Sequence, residues 1–260
     1  MLKGKGAVIT GSTSGIGLAY ARALAAEGCD ICLNGFGDPG EIESIRAGLE
    51  RDHGVRAMHH GADMARPDEI AQMIDEATDR LGHVDIMIHN AGIQHTDRVE
   101  EFPPEKWHAI LAIHLSAAFH TTRLVVPQMK ARGWGRIIYT ASAHGLAASP
   151  FKAGYVAAKH GIIGLCKVVA LETAETGITC NAICPGWVRT PLVERQIEAL
   201  AAERGLDIEA AARELVGAKQ PTKQFVMPDQ LGQLAVFLCS EAASQMTGAP
   251  VSMDGGWISQ

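Results

Sequence analysis

The chain has 260 residues, 47% of them hydrophobic, with 28 glycines and a formal net charge of -6. That length suits one large α/β domain with a full core and many tight turns, and an acidic balance without a basic run excludes a nucleic-acid footprint. The six cysteines form no CxxC pair and most lie in apolar segments, so they read as buried reduced thiols rather than a disulfide framework or metal site.

The first ten residues run straight into an apolar strand, and no apolar stretch is judged to approach the roughly 18 residues of a membrane span. The expectation is a cytoplasmic protein without a signal peptide or membrane contact. Apolar runs at 7–10, 30–34, 55–59, 84–89, 136–141, 179–184 and 250–253 read as strands, separated by stretches of helical period. Strands joined by helical crossovers are parallel, and parallel strands buried on both faces read as unbroken apolar runs. The expected fold over residues 1–260 is therefore α/β: a single-domain, Rossmann-like, doubly wound parallel sheet of about seven strands. Residues 190–220 break the rhythm with two helices, at 191–197 and 207–215. Inserted where ligands bind in such folds, they are placed to act as a helical substrate lid; a dimer-packing arm is the other reading.

Gly11, Gly15 and Gly17 follow the first strand in a G-x3-G-x-G pattern and open a helix. Glycines there let the backbone approach a pyrophosphate, which the helix N-terminus attracts. At the end of the second strand, where the adenosine ribose is read, the chain offers Asn34-Gly35-Phe36-Gly37. With no Arg or Lys in that turn, NAD is expected over NADP, although the usual acidic residue is also missing. Phe36 faces the ribose or adenine, or else belongs to the core. Asp63 is placed to accept from the adenine amino group, or to cap a helix. Tyr155 and Lys159 stand four residues apart and so share one helix face, where the ammonium would lower the phenol pKa from about 10. With Ser142 upstream, this group reads as acid/base machinery for hydride transfer.

On Gly11, Gly15 and Gly17, Asp63, Asn90-Ala91-Gly92, Ser142, Tyr155, Lys159 and Pro185-Gly186, the chain resembles the short-chain dehydrogenases/reductases over nearly its whole length. The resemblance implies that Tyr155 is the acid/base, that Lys159 tunes it and binds the nicotinamide ribose, and that Ser142 bonds the substrate oxygen. It implies a cofactor site that also takes in Thr13, Ile16, Phe36, Asn90, Gly92 and Val188. Such proteins are usually tetramers, built through paired long helices and the C-terminal strand, which makes a homotetramer the expected assembly.

Within that family the segments around Gln94, His144, Lys152, Trp187, Gln196 and Trp257 are similar to the bacterial D-3-hydroxybutyrate dehydrogenases. The resemblance implies that Gln94, His144, Lys152 and Gln196 bind the carboxylate of a small hydroxy or keto acid, while Trp187 and Trp257 wall its methyl end. The residues themselves support this: Lys152, three residues before Tyr155, can present the counter-charge that a desolvated acid needs. Alternatives are another small hydroxy acid or alcohol as substrate, or a dinucleotide-binding sensor without turnover. His114 holds the position of the family's catalytic asparagine, where imidazole either replaces the proton relay or obstructs it. His89 and Tyr139 also stand where asparagine is common, and all three changes are expected to alter hydrogen bonding around the site. The remaining histidines form no metal-ligand set, and no metal is expected.

Overall fold

Five strands of this protein are buried along their whole length: β1 (Gly6–Ile9), β2 (Asp30–Asn34), β4 (Ile86–His89), β5 (Gly135–Thr140) and β6 (Ile178–Pro185). Two more, β3 (Ala57–His60) and β7 (Pro250–Met253), are partly exposed. A strand buried on both faces needs neighbours on both sides, and the order β3-β2-β1-β4-β5-β6-β7 puts the five buried strands in the middle. Every pairing is parallel, as helical crossovers require. The computed structural model describes residues 2–260.

Alternation along the strands divides the core into two layers. Ala7, Ile9, Ile31 and Ile88 pack under α1 (Gly15–Ala26) and α9 (Pro228–Cys239) with Tyr20, Leu24, Leu231 and Ala235, beside α2 (Pro39–His53). Val8, Cys32, Met87 and Ile137 face the other way, toward α3 (Pro67–Leu81), α5 (Ala117–Arg132) and α6 (Ala153–Glu172). All six cysteines are buried and free. The sequence reading of apolar stretches needs correction here. The run Pro104–Arg132, which joins α4 (Pro104–Leu111) to α5, and α6 are both long and apolar enough to cross a membrane. In the fold their buried sides, with Val125, Met129, Ile162 and Val169, lie on the sheet.

The predicted strands at 30–34 and 250–253 match β2 and β7; β4 starts two residues later than predicted, and the other four differ by one or two residues at each end. The two helices expected within 190–220 are α7 (Pro191–Arg204) and α8 (Ile208–Gly217). They carry a small core of their own, Val193, Ile197, Ala201, Ala211 and Ala212, against which Trp187 and Phe225 pack. Thr190 and Asp207 cap their first turns by accepting from Val193 N and Ala210 N.

At the opposite end of the sheet from the glycine loop, the fully buried Asp85 ties the layers together. It accepts from Gly6 N at 3.2 Å and Arg132 Nε at 3.1 Å, and lies 2.9 Å from His83 Nε2 and 3.6 Å from Lys5 Nζ. Asp85→Ala should lower unfolding free energy by about 1.5 to 3 kcal/mol, the scale of a hydrogen-bonded charged group, because Lys5 and Arg132 can turn to water but Gly6 N–H cannot. Denaturant unfolding measures this. A loss below about 0.5 kcal/mol would place Asp85 among ordinary surface positions.

Candidate active site

The carboxyl ends of the central strands open into a cleft of about 730 Å³. Its floor is set by a lattice of hydrogen bonds among polar side chains that the strands carry at their ends. Thr10 Oγ1 accepts from Asn90 N at 2.9 Å and Ala91 N at 3.0 Å, while Asn90 Nδ2 donates to Thr10 O at 3.1 Å and Gly11 O at 3.0 Å. Asn34 accepts from Gly11 N at 3.2 Å and donates to His60 O and Ala62 O. Asn34 is therefore spent on holding the loop. Gly11 has φ +61, and a Cβ there would press on the Ala91 backbone. A Cβ on Gly17 would overlap the Gly11 carbonyl, so Gly17 serves the close packing of α1 on the loop and does not line the cleft.

Gly11, Thr13, Gly15 and Ile16 line the cleft at one end, with Phe36 and Asp63. Ser14, the N-cap of α1, makes no side-chain cap bond, which leaves the first-turn N–H groups free for an anion. This fits the diphosphate of a dinucleotide. Phe36 is 70% exposed, so it is not a core aromatic. Asp63 Oδ1 accepts from Ala65 N at 2.8 Å, a turn ahead of α3 whose N-cap is Arg66. No cation stands in the turn at 34–37, and Arg46 nearby is paired with Glu43 and Glu50.

Asn90, Gly92, Gln94, His114, Ser142, Tyr155, Lys159, Pro185, Gly186 and Val188 line the rest of the cleft. Ser142 Oγ accepts from His144 N at 3.1 Å and stands near the Tyr155 phenol, whose ionised form it favours. Lys159 Nζ donates to Thr140 O at 2.6 Å and lies 5.5 Å from the Tyr155 ring centroid. Burial pushes the phenol up, opposed by Ser142, and burial pulls Lys159 down to about 7. The ammonium is occupied by a strand-end carbonyl instead of the phenol oxygen.

Between α4 and α5 the helix widens into a π-turn at Ala112–Ser116, which contains His114. Its Nε2 lies 3.0 Å from Ile93 N and 2.7 Å from Ile93 O, its Nδ1 is buried without a partner, and its ring stands 5.4 Å from that of Tyr155. A Cβ on Gly92 would overlap this ring. His89 Nε2 takes the Ile113 carbonyl at 3.0 Å, with Nδ1 3.4 Å from Thr10 Oγ1. Tyr139 does not alter the site: its hydroxyl meets Thr122 at 2.7 Å in the buried layer under α5.

A second compartment adjoins the Ser142 side. The His144 ring lies 5.9 Å from Tyr155 and 5.0 Å from Trp257, which stacks on Trp187 at 6.5 Å. Asp254 holds Trp257 by accepting from Gly256 N and Ile258 N, each at 3.0 Å. Phe151 adopts φ +67, strained for a side-chain residue, and the following Lys152 presents Nζ 5.8 Å from the Trp187 ring. His144 is neutral, held down to about 4 by burial with Lys152, Lys219 and His160 adding to it, and its Nε2 is 2.9 Å from Ser149 Oγ. Gln196 stands half-buried on α7 without a hydrogen bond to these residues. Sequence reasoning missed Thr190, Leu192 and Arg195, which α7 brings to the cleft, and Lys219, which faces His144 and Trp257. No motif marks these positions. Among the described residues, no cluster of His, Cys, Asp and Glu could hold a metal.

A family model described as enoyl-(acyl carrier protein) reductase matches residues 11–258. A D-beta-hydroxybutyrate dehydrogenase of Cupriavidus necator is 58% identical, with all of both chains covered. Another, from Rhizobium meliloti, is 54% identical over 98% of this chain and 99% of its own. The chain belongs to the short-chain dehydrogenase/reductase family. A solved L-sorbose reductase from Gluconobacter frateurii, complexed with NADPH and L-sorbose, matches this dehydrogenase with TM-score 0.95 and 32% identity, covering 100% of this chain and 98% of its own.

Three buried histidines give this dehydrogenase an acid-labile site. Burial, with a contribution from Lys159, holds His89 down to about 3 and His114 well below the usual value, while His144 sits at about 4. Below about pH 6.5 the unfolded chain binds protons that these rings refuse, so stability falls as pH drops, by about 1.4 kcal/mol per unit for each ring. Unfolding free energy should therefore decline from pH 6.5 to 4.5, above the main carboxylate range, and His144→Asn should flatten the decline. A pH-independent unfolding midpoint across that window would contradict neutral burial.

Proposed function

We propose that this enzyme interconverts D-3-hydroxybutyrate and acetoacetate, with NAD as the hydride carrier. The observation that carries the substrate reading is the Lys152 ammonium, without a carboxylate partner among the described residues, beside the Ser142–Tyr155 pair. A small acid entering a pocket walled by Trp187 and Trp257 leaves water and requires that counter-charge. The two relatives above 50% identity act as support for the same substrate class. NAD is favoured over NADP because the 34–37 turn holds no cation for a 2′-phosphate, even though the L-sorbose reductase neighbour was solved with NADPH.

NAD supplies, when bound, the nicotinamide carbon that accepts or gives the hydride. Gly11, Gly15 and the α1 N-terminus hold its diphosphate, with Phe36 and Asp63 at the adenosine end and Asn90, Gly92, Pro185, Gly186 and Val188 toward the nicotinamide. Ser142, whose oxygen already accepts from His144 N, is left with its own O–H to donate to the substrate oxygen. In oxidation Tyr155 takes the substrate hydroxyl proton as the C3–H bond breaks and the carbonyl forms; in reduction it returns the proton. Lys159 binds the ribose and passes protons onward, and His114, with its free Nδ1, stands in for the relay asparagine. Gln94, Lys152, His144 and Gln196 orient the acid, and α7 and α8 close over it as a lid.

The enzyme assembles as a homotetramer through α5, α6 and the β7 edge, where Phe119, Val168 and Leu171 are exposed, Leu171 by 79%. Six free cysteines fit a reducing cytoplasm.

Because burial keeps the Tyr155 phenol protonated at neutral pH, acetoacetate reduction should run well there, while oxidation should rise toward alkaline pH as the base form appears. Initial rates in both directions from pH 6 to 10 test this, and parallel profiles would argue against Tyr155 as the shared group. Tyr155→Phe should bind NADH normally and lose roughly 10² to 10⁴ in turnover.

A substrate panel tests the acid reading. D-3-Hydroxybutyrate should be oxidised with NAD, the L form hardly at all, and 2-butanol poorly. Lys152→Ala should lose on the order of tenfold or more in kcat/KM for the acid. Equal efficiency with 2-butanol would move the enzyme to neutral alcohols, and equal efficiency with NADP would remove the cofactor argument.

A further inference from the structure

Lys219 lies just beyond α8, where the chain is fixed on both sides. Its backbone carbonyl accepts from Gln260 Nε2 at 3.0 Å, and its N–H donates to Val216 O at 3.2 Å. The next residue, Gln220, is fully buried, accepting from Trp187 N and donating to Gln224 O. From this anchored stretch Lys219 Nζ reaches a point 5.8 Å from the Trp257 ring centroid. Lys152 Nζ stands at the same 5.8 Å from Trp187, and the two indoles are stacked on each other. Two ammonium groups from segments remote in sequence thus converge on one indole pair. Among the described residues neither has an ion-pair or hydrogen-bonding partner.

Such an arrangement costs free energy unless an anion joins it. Like charges repel, and each ammonium gives up hydration against an aromatic wall. The repulsion registers on the groups present: Lys219 adds to the burial that depresses Lys152, and both lysines add to the burial that keeps His144 neutral. Of the side chains expected to hold the acid, Gln94, Gln196 and neutral His144 bring no charge, which leaves Lys152 and Lys219 to supply it. Trp187 Nε1, buried without a partner in the same compartment, is an unused donor.

We propose that Lys219 is the second cation of the acid pocket, so that one carboxylate is held between Lys152, at the start of the catalytic helix, and Lys219, at the end of the lid. This rests on the hydroxy-acid reading above. A carboxylate has two oxygens and can meet both ammonium groups, whereas a neutral alcohol gains from neither.

The test compares Lys219→Ala and Lys219→Arg with the parent enzyme. Lys219→Ala should raise KM for D-3-hydroxybutyrate about tenfold while kcat and NADH affinity change less than about twofold; Lys219→Arg should restore most of the loss. Acetate serves as a second probe that needs no turnover, through quenching of Trp187 and Trp257 fluorescence in the NAD complex. Its affinity should fall by a similar factor in Lys219→Ala and recover in Lys219→Arg. Unchanged KM and acetate affinity in Lys219→Ala, with the parent oxidising D-3-hydroxybutyrate, would overturn the role of Lys219 and leave the substrate reading standing. Acetate binding that depends on Lys219 in an enzyme inert to D-3-hydroxybutyrate would do the reverse. A parent that neither binds acetate nor oxidises D-3-hydroxybutyrate would overturn both.

Discussion

One ammonium buried without a carboxylate sets the character of this site. Lys159 is almost wholly enclosed, and the partner it has is the Thr140 carbonyl at the end of β5. Parallel strands end with carbonyls pointing out of the sheet, so the carboxyl edge can solvate a cation that has no counter-ion. The arrangement is costly, and it spreads: Lys159 adds to the burial that keeps His89 and His114 neutral. Those rings act as uncharged hydrogen-bonding groups chiefly because they are buried, with the nearby positive charge adding to the effect. The Tyr155 phenol sits beside this charge with Ser142 next to it, and its own burial favours the protonated form.

The same economy of charge runs through the cleft. The protein carries a net charge of -6, yet the compartments that meet ligand hold Lys152, Lys159, Arg195 and Lys219, with Asp63 at the adenosine end. A cation inside an acidic envelope attracts small anions locally without making the whole surface sticky for polyanions. The α1 N-terminus adds a fixed partial positive charge at the diphosphate end. Positive potential is thus present both at the glycine-loop end of the cleft and in the compartment that adjoins it.

Much of this was legible in the sequence because it depends on period and local spacing. Unbroken apolar runs required a parallel sheet, and the i, i+4 spacing of Tyr155 and Lys159 required a shared helix face. What could not be read depends on phase and burial. Tyr139 and Thr140 are adjacent in β5, yet pleating sends Tyr139 to the α5 layer and leaves Thr140 at the cleft. Gln196 and Arg195 are adjacent in α7, where about 100° of rotation separates neighbours; Arg195 is the one that lines the cleft. The direction of the Tyr155 shift follows from enclosure, and Lys219 from the return of a remote segment over Trp257. Neither leaves a mark in local sequence.

The exchange of asparagine for histidine at positions 89 and 114 is better understood as one change than as two. A π-turn holds one residue more than an α-turn and frees a backbone carbonyl. Within this turn His89 Nε2 reaches Ile113 O from β4. That bond requires the proton on Nε2, so Nδ1 faces Thr10 Oγ1 as an acceptor, and the threonine is itself the acceptor for Asn90 N and Ala91 N. His89 therefore links the π-turn to the lattice that fixes the glycine loop. The widened turn also makes room for the ring of His114, whose Nε2 can either donate to Ile93 O or accept from Ile93 N. In the first tautomer the unpartnered Nδ1 is an acceptor, and in the second a donor. The ring beside Tyr155 is thus neutral and can turn either a donor or an acceptor away from Ile93.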